Sequence, residues 1–94
     1  MIVVELAFGD DDKERLAARP AHRDLLVRLR AEGRLLAAGP WPDDSGALLL
    51  FSGDDLDEVR RTMAEDPYYT TPGVRVTALR RWQPVVGEIV ARVD

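Results

Sequence analysis

The chain has 94 residues, 17 acidic and 13 basic side chains, a net charge of −4 and no cysteine. That length makes one domain with a thin core, since a chain of this size buries only roughly 60–65% of the surface its unfolded form exposes. The missing cysteines exclude a disulfide framework, a thiolate nucleophile and sulfur-ligated metals, and suit a reducing cytoplasm, the expected localisation. No lysine/arginine cluster is long enough to follow a phosphate backbone, and no apolar run is long enough for a signal peptide or a membrane span. Neither nucleic acid nor a membrane is therefore an expected partner.

Residues 2–8, IVVELAF, alternate as a strand, with Ile2, Val4, Leu6 and Phe8 on one face and Val3, Glu5 and Ala7 on the other. GDDD turns the chain, and KERLAARPAHRDLLVRLRAEG reads as helix. Pro20 suits the first turn of a new or kinked segment, and Gly33 is a stop. Leu25, Leu26, Leu29 and Gly33 follow the three-four spacing of a buried stripe. RLLAAG is a second strand, Gly39 to Gly46 a turn-rich loop, and ALLLF a third strand, apolar on both faces.

SGDDLDEVRRTMAEDP is a second helix, with N-cap candidates at Ser52 to Asp55, a stripe of Leu56, Val59 and Met63, and Pro67 as its end. YYTTPG is a loop. VRVTALRRW alternates as a fourth strand, Val74, Val76 and Ala78 against Arg75, Thr77 and Arg81. Pro84 breaks it, and VVGEIVARV forms a fifth strand or an extended tail. The chain is one domain over 1–94, with a core at 1–83 and an extension at 84–94.

The order β-α-β-β-α-β is that of an α+β, ferredoxin-like arrangement, an antiparallel sheet with both helices on one face. Two helices cover only one side of a four-stranded sheet, yet the first and third strands are apolar on both. The second side needs a lid, and a second copy of the chain, sheet against sheet, is the expected one.

The single histidine lies in RPAH, Arg19 to His22. His22 precedes Leu25, Leu26 and Leu29 by three, four and seven residues, so it belongs to the inward stripe. Asp66 follows Met63 by three and Val59 by seven, which places it on the second helix's stripe. The two helices run antiparallel, so the start of one and the end of the other share an edge of the sheet, and a contact between His22 and Asp66 is expected there. A carboxylate on one ring nitrogen fixes the tautomer and raises the basicity of the other, the minimum needed to move a proton near neutral pH, whereas a helix N-terminus disfavours a charged ring. On spacing alone the simpler reading is preferred, a satisfied histidine and a turn aspartate before proline.

RPAH at 19–22, EGRLLAAGP at 32–40, the acidic loop after it, AEDPYY at 64–69 and a closing strand ending at Trp82 resemble, in order and spacing, the YciI-like (YCII-related) family over nearly the whole chain. The resemblance implies a dimeric α+β-barrel with an active-site His–Asp pair in a cleft, and His22 and Asp66 match that pair. It implies no single reaction; a relative removes chloride from a chlorinated hydroxyquinol ring, and fold analogy extends to small cyclic metabolites. The loop between Pro40 and Ala47 is shorter than in some relatives, which implies a more open pocket.

The expectation is thus a cofactor-independent enzyme in which His22 and Asp66 are catalytic, acting by elimination or isomerisation on a small cyclic or enolisable ligand in a cleft near His22. The alternative is a non-catalytic binding or dimerisation module of the same fold. Arg19 is a candidate for an anionic substrate group, Tyr68 for orienting a ring or an oxyanion, Trp41 for a pocket wall and Ser45 for a polar contact. Arg15 reads as an exposed helix arginine paired with Asp11, Asp12 or Glu14, and Trp82 as core or interface. No metal and no cofactor is expected: one histidine cannot supply a two-histidine triad, the aspartates lack a calcium-loop pattern, and no phosphate loop or dinucleotide fingerprint occurs.

Overall fold

Alternation of apolar side chains in Ile2–Phe8 gives β1, whose Ile2, Val4 and Leu6 are almost completely removed from solvent. The computed structural model describes residues 1–89. After β1 come α1 (Lys13–Ala31), β2 (Leu35–Pro40), β3 (Gly46–Phe51), α2 (Leu56–Ala64), a short 3-10 helix (Pro67–Thr70) and β4 (Val74–Arg81). The four strands form one antiparallel sheet in the order β2-β3-β1-β4, the ferredoxin-like arrangement.

On the helix-covered face, Ile2, Val4 and Leu6 stand opposite Phe51, Leu49 and Ala47, and Leu29 of α1 and Val59 and Met63 of α2 close over them. Each of these side chains other than Ala47 contributes about 1.5–3 kcal/mol when fully buried. The sheet is therefore held to the helices through β1 and β3, its two central strands. On the other face Val3, Ala7, Leu48 and Leu50 are half-buried, with no helix of the described residues above them.

Three elements depart from expectation. Pro20 neither starts nor breaks a segment: α1 runs through it, because the apolar stripe on both sides favours one continuous helix over the bond lost at the proline nitrogen. The second helix is capped by Asp55, which accepts from the backbone N–H groups of Asp57 and Glu58, and ends at Glu65. Pro67 then opens the 3-10 helix within the segment expected to be a loop, its fixed φ suiting a first helical position. In β4 the alternation is interrupted at Thr77, since Leu6 pairs with Val76 and Glu5 with Ala78; this bulge moves Ala78 to the face away from the helices.

The segment after Trp82 contains no strand as far as Ile89. The remainder of the expected fifth strand or tail, residues 90–94, lies outside the described residues. No helix among the described residues is long and apolar enough to cross a membrane.

Candidate active site

Arg15, Arg19, His22, Leu26 and Leu29 succeed one another by four, three, four and three positions, a single stripe along α1. His22 is more than two turns in from Lys13, too far inside for the helix N-terminus to act on it. The residue is 7% exposed. It lies flat on the phenol of Tyr68, with centroids 3.9 Å apart and planes 8° from parallel, and edge-on to Tyr69 at 5.5 Å.

Asp66 meets His22, although it lies beyond α2 rather than on that helix's last turn. Its extended backbone, φ −109° and ψ 110°, makes it the cap of the 3-10 helix. One carboxylate oxygen, Oδ1, accepts from the Tyr68 backbone N–H at 2.9 Å, and Oδ2 pairs with Nδ1 of His22. Asp66 is only 4% exposed, so both oxygens are committed in a place where water would not substitute. An ionised carboxylate only accepts, so Nδ1 is the donor of this pair, and in a neutral ring Nε2 is then the nitrogen with the lone pair. The phenol of Tyr69 is pushed up by burial and further by the charges of Asp66 and Tyr68, so it stays protonated.

Alongside lies a cavity of about 520 Å³ between α1 and the β2–β3 edge, with Arg19, His22 and Tyr68 in its wall. Phe8, Leu26, Leu35 and Leu49 make it apolar, and Ala38 and Ala47, short side chains on the same face of neighbouring strands, leave the space open. With the fold, the pair and the cavity in place, comparison with known sequences finds that residues 1–83 match the YCII-related domain. The chain belongs to the YCII-related family.

Among solved structures, this YCII-related chain is similar to the 5-chloro-2-hydroxyhydroquinone dehydrochlorinase (TftG) of Burkholderia phenoliruptrix AC1100, solved in complex with 2,5-dihydroxybenzoquinone. The TM-score is 0.66 at 21% sequence identity, over 88% of this chain and 94% of that one, a likeness of fold. No curated protein sequence matches.

Two residues of the YCII-related domain were not singled out by sequence. Arg15 is not an exposed partner of Asp11, Asp12 or Glu14. It is 2% exposed, donates from Nη2 to Asp44 at 3.1 Å and places its guanidinium 4.2 Å over the Phe8 ring. Asp44 is the second residue; it also accepts two hydrogen bonds from Nη2 of Arg19, at 3.3 and 3.2 Å. Its backbone is left-handed, φ 58°, a conformation aspartate tolerates better than most residues. The signal for Arg15 was present in the stripe, seven positions before His22. Asp44, one of several aspartates in its loop, had none.

Burial works against the charge of Arg15, but the neighbouring Tyr68 phenol and the Asp44 carboxylate outweigh it and hold the guanidinium's pKa up. Partial burial likewise opposes the ionised Asp44, and the two arginines overcome it, holding its carboxyl below the usual range. Trp41 and Ser45 stand outside the cavity wall. The Trp41 amide donates to the Gly46 carbonyl at 2.9 Å, and the Ser45 carbonyl accepts from Phe8, so both residues shape the turn that carries Asp44. Among the described residues no three His, Cys, Asp or Glu side chains converge as a metal-ligand set.

Proposed function

We propose that this YCII-related chain is a cofactor-independent enzyme in which His22, oriented by Asp66, transfers a proton on a small cyclic or enolisable metabolite. The observation that supports it is the buried pair at the cavity wall: Nδ1 is committed to Asp66, leaving Nε2 as the ring nitrogen to meet a ligand. In an elimination, Nε2 takes a proton from carbon, the C–H electron pair becomes a new π bond, and the leaving group departs with its own pair. In an isomerisation the same proton returns at another carbon. The imidazolium formed in either case is stabilised by Asp66 without the carboxylate itself becoming protonated. The similar fold of a protein named for dehydrochlorination of a hydroquinone supports elimination on a ring as the first reaction to assay. We also infer a homodimer through the helix-free face of the sheet.

The test is turnover of a panel of halogenated hydroquinones and enolisable cyclic acids. His22→Ala and Asp66→Asn are expected to lower kcat by roughly 10²–10⁴-fold while circular dichroism stays that of the wild type. In ¹⁵N NMR the single imidazole should show the Nδ1–H tautomer, which Asp66→Asn disturbs. Full turnover in His22→Ala overturns the mechanism, and saturable binding without product in the wild type favours the non-catalytic module.

A further inference from the structure

The chain as a whole is acidic, at −4, yet the wall of the cavity beside His22 holds three arginines, Arg19, Arg23 and Arg30, and no aspartate or glutamate among the described residues. The arginines follow one another by four and seven positions, so they edge one side of the α1 stripe, with Leu26 and Val27 between them. At a rise of about 1.5 Å per residue, His22 and Arg30 are about 12 Å apart along the helix. A volume of about 520 Å³ lies inside the range that encloses ligands larger than a single small ring.

Behind Arg19 the charges do not balance. Arg15 and Arg19 share one carboxylate, that of Asp44, and two nitrogens of the buried Arg15, Nε and Nη1, have no hydrogen-bond partner among the described residues. A buried cation is costly unless paired, and here two guanidiniums divide the single carboxylate of Asp44 between them. Both hydrogen bonds from Arg19 to Asp44 leave from the single nitrogen Nη2, and the rest of its planar fork remains for a second oxyanion.

The geometry points to an anion site: the cavity takes an extended apolar monoanion whose carboxylate or ring oxyanion is held by Arg19 and Arg23 next to His22. Its apolar body lies along Leu26, against the short side chains of Ala38 and Ala47. This rests on the reading of the cavity as the substrate site and adds the class of substrate. The anion contact also serves the proposed chemistry, because charge that develops on an enolate or phenolate oxygen as Nε2 takes the proton meets a preorganised guanidinium.

The test is calorimetric titration of the full chain with 2-naphthoate and with 2-naphthamide, which has the same ring body and no charge. Naphthoate is expected to bind about tenfold or more tightly at low salt, as a charge-assisted bidentate contact implies, and to shift the His22 ring resonances. Arg19→Gln should remove the difference between the probes. Should Arg19→Gln fail to fold, Arg23→Gln, which breaks no ion pair of the described residues, should shrink it several-fold. Arg60→Gln on α2, a pair of the exposed Asp57, should leave it intact. His22→Ala should lower turnover by the roughly 10²–10⁴-fold expected of a lost base yet keep the preference for the anion, so the failure of the catalytic reading and of this one are told apart. Equal affinity for the two probes, binding of neither, or an unchanged preference in a folded Arg19→Gln or Arg23→Gln protein overturns the anion site.

Discussion

Asp44 is where the loop after β2 is tied to α1, and its ionisation makes that tie depend on pH. Arg15 and Arg19 hold its carboxyl below the ordinary aspartate value of 3.8. Between the folded and unfolded values, the unfolded chain therefore keeps a proton that the folded chain has shed. The stabilisation is fully present above about 3.8 and is lost as pH falls through the folded value. The Asp44 side chain is 43% exposed, so solvent screening limits the effect to below about 1 kcal/mol. Urea midpoints of wild type and Asp44→Asn, which keeps the left-handed backbone, should differ at neutral pH and low salt and converge in acid; a gap that persists unchanged in acid would rule out the arginine pairing as its source. Sequence pattern makes His22 and Asp66 visible because each extends an apolar stripe, and Arg19 because it lies four positions from Arg15 and within RPAH. Arg15 shares that four-residue spacing, but sequence pairs it with nearby acids, since arginine is rarely buried and its real partner is 29 positions away.

At the scale of elements, the strands and helices follow hydrophobic period, and the departures occur where a backbone rule competed with it. Proline in a helical pattern signals a boundary or kink, yet α1 passes through Pro20 with the Leu16 carbonyl deprived of its usual donor. Pro20→Ala restores that donor. It should stabilise the chain by about 2 kcal/mol, the interior-helix penalty of proline less the entropy proline removes from the unfolded chain, raising Tm by roughly 8 °C or more. A lower Tm in differential scanning calorimetry would mean that the exposed ring contributes more than the missing bond costs. Asp66 illustrates the opposite case. Helical spacing aimed it toward the right neighbour for the wrong local reason, because the residue has left α2 and is held by the 3-10 turn that Pro67 begins. No periodicity encodes such a turn, just as none encodes the extra residue at Thr77 that turns Ala78 to the other face.

For the whole molecule, the unbalanced sheet is the dominant feature. One face is sealed by both helices, while Val3, Leu48 and Leu50 occupy the other beside the charged Glu5 and Arg80. An apolar stripe rimmed by charge on a thin-cored chain suits a self-complementary contact in which one copy's sheet covers another's. Light scattering at micromolar concentration should give twice the 10.5 kDa chain mass, with a Tm that rises with concentration. Leu50→Glu should shift the mass toward the monomer without removing the His22–Asp66 contact, which lies on the opposite face. A monomeric wild type under those conditions would overturn the dimer.

His22 and Asp66 are 44 positions apart, one in the first half of the chain and one in the second. At a synthesis rate of roughly 5–20 residues per second, the imidazole is made roughly 2–9 s before its carboxylate. By the end of that interval the nascent chain contains the arginines and aliphatic residues of the cavity wall, but not the carboxylate that Nδ1 of His22 meets. The His22–Asp66 contact is therefore completed only when the last third of the chain docks onto what precedes it.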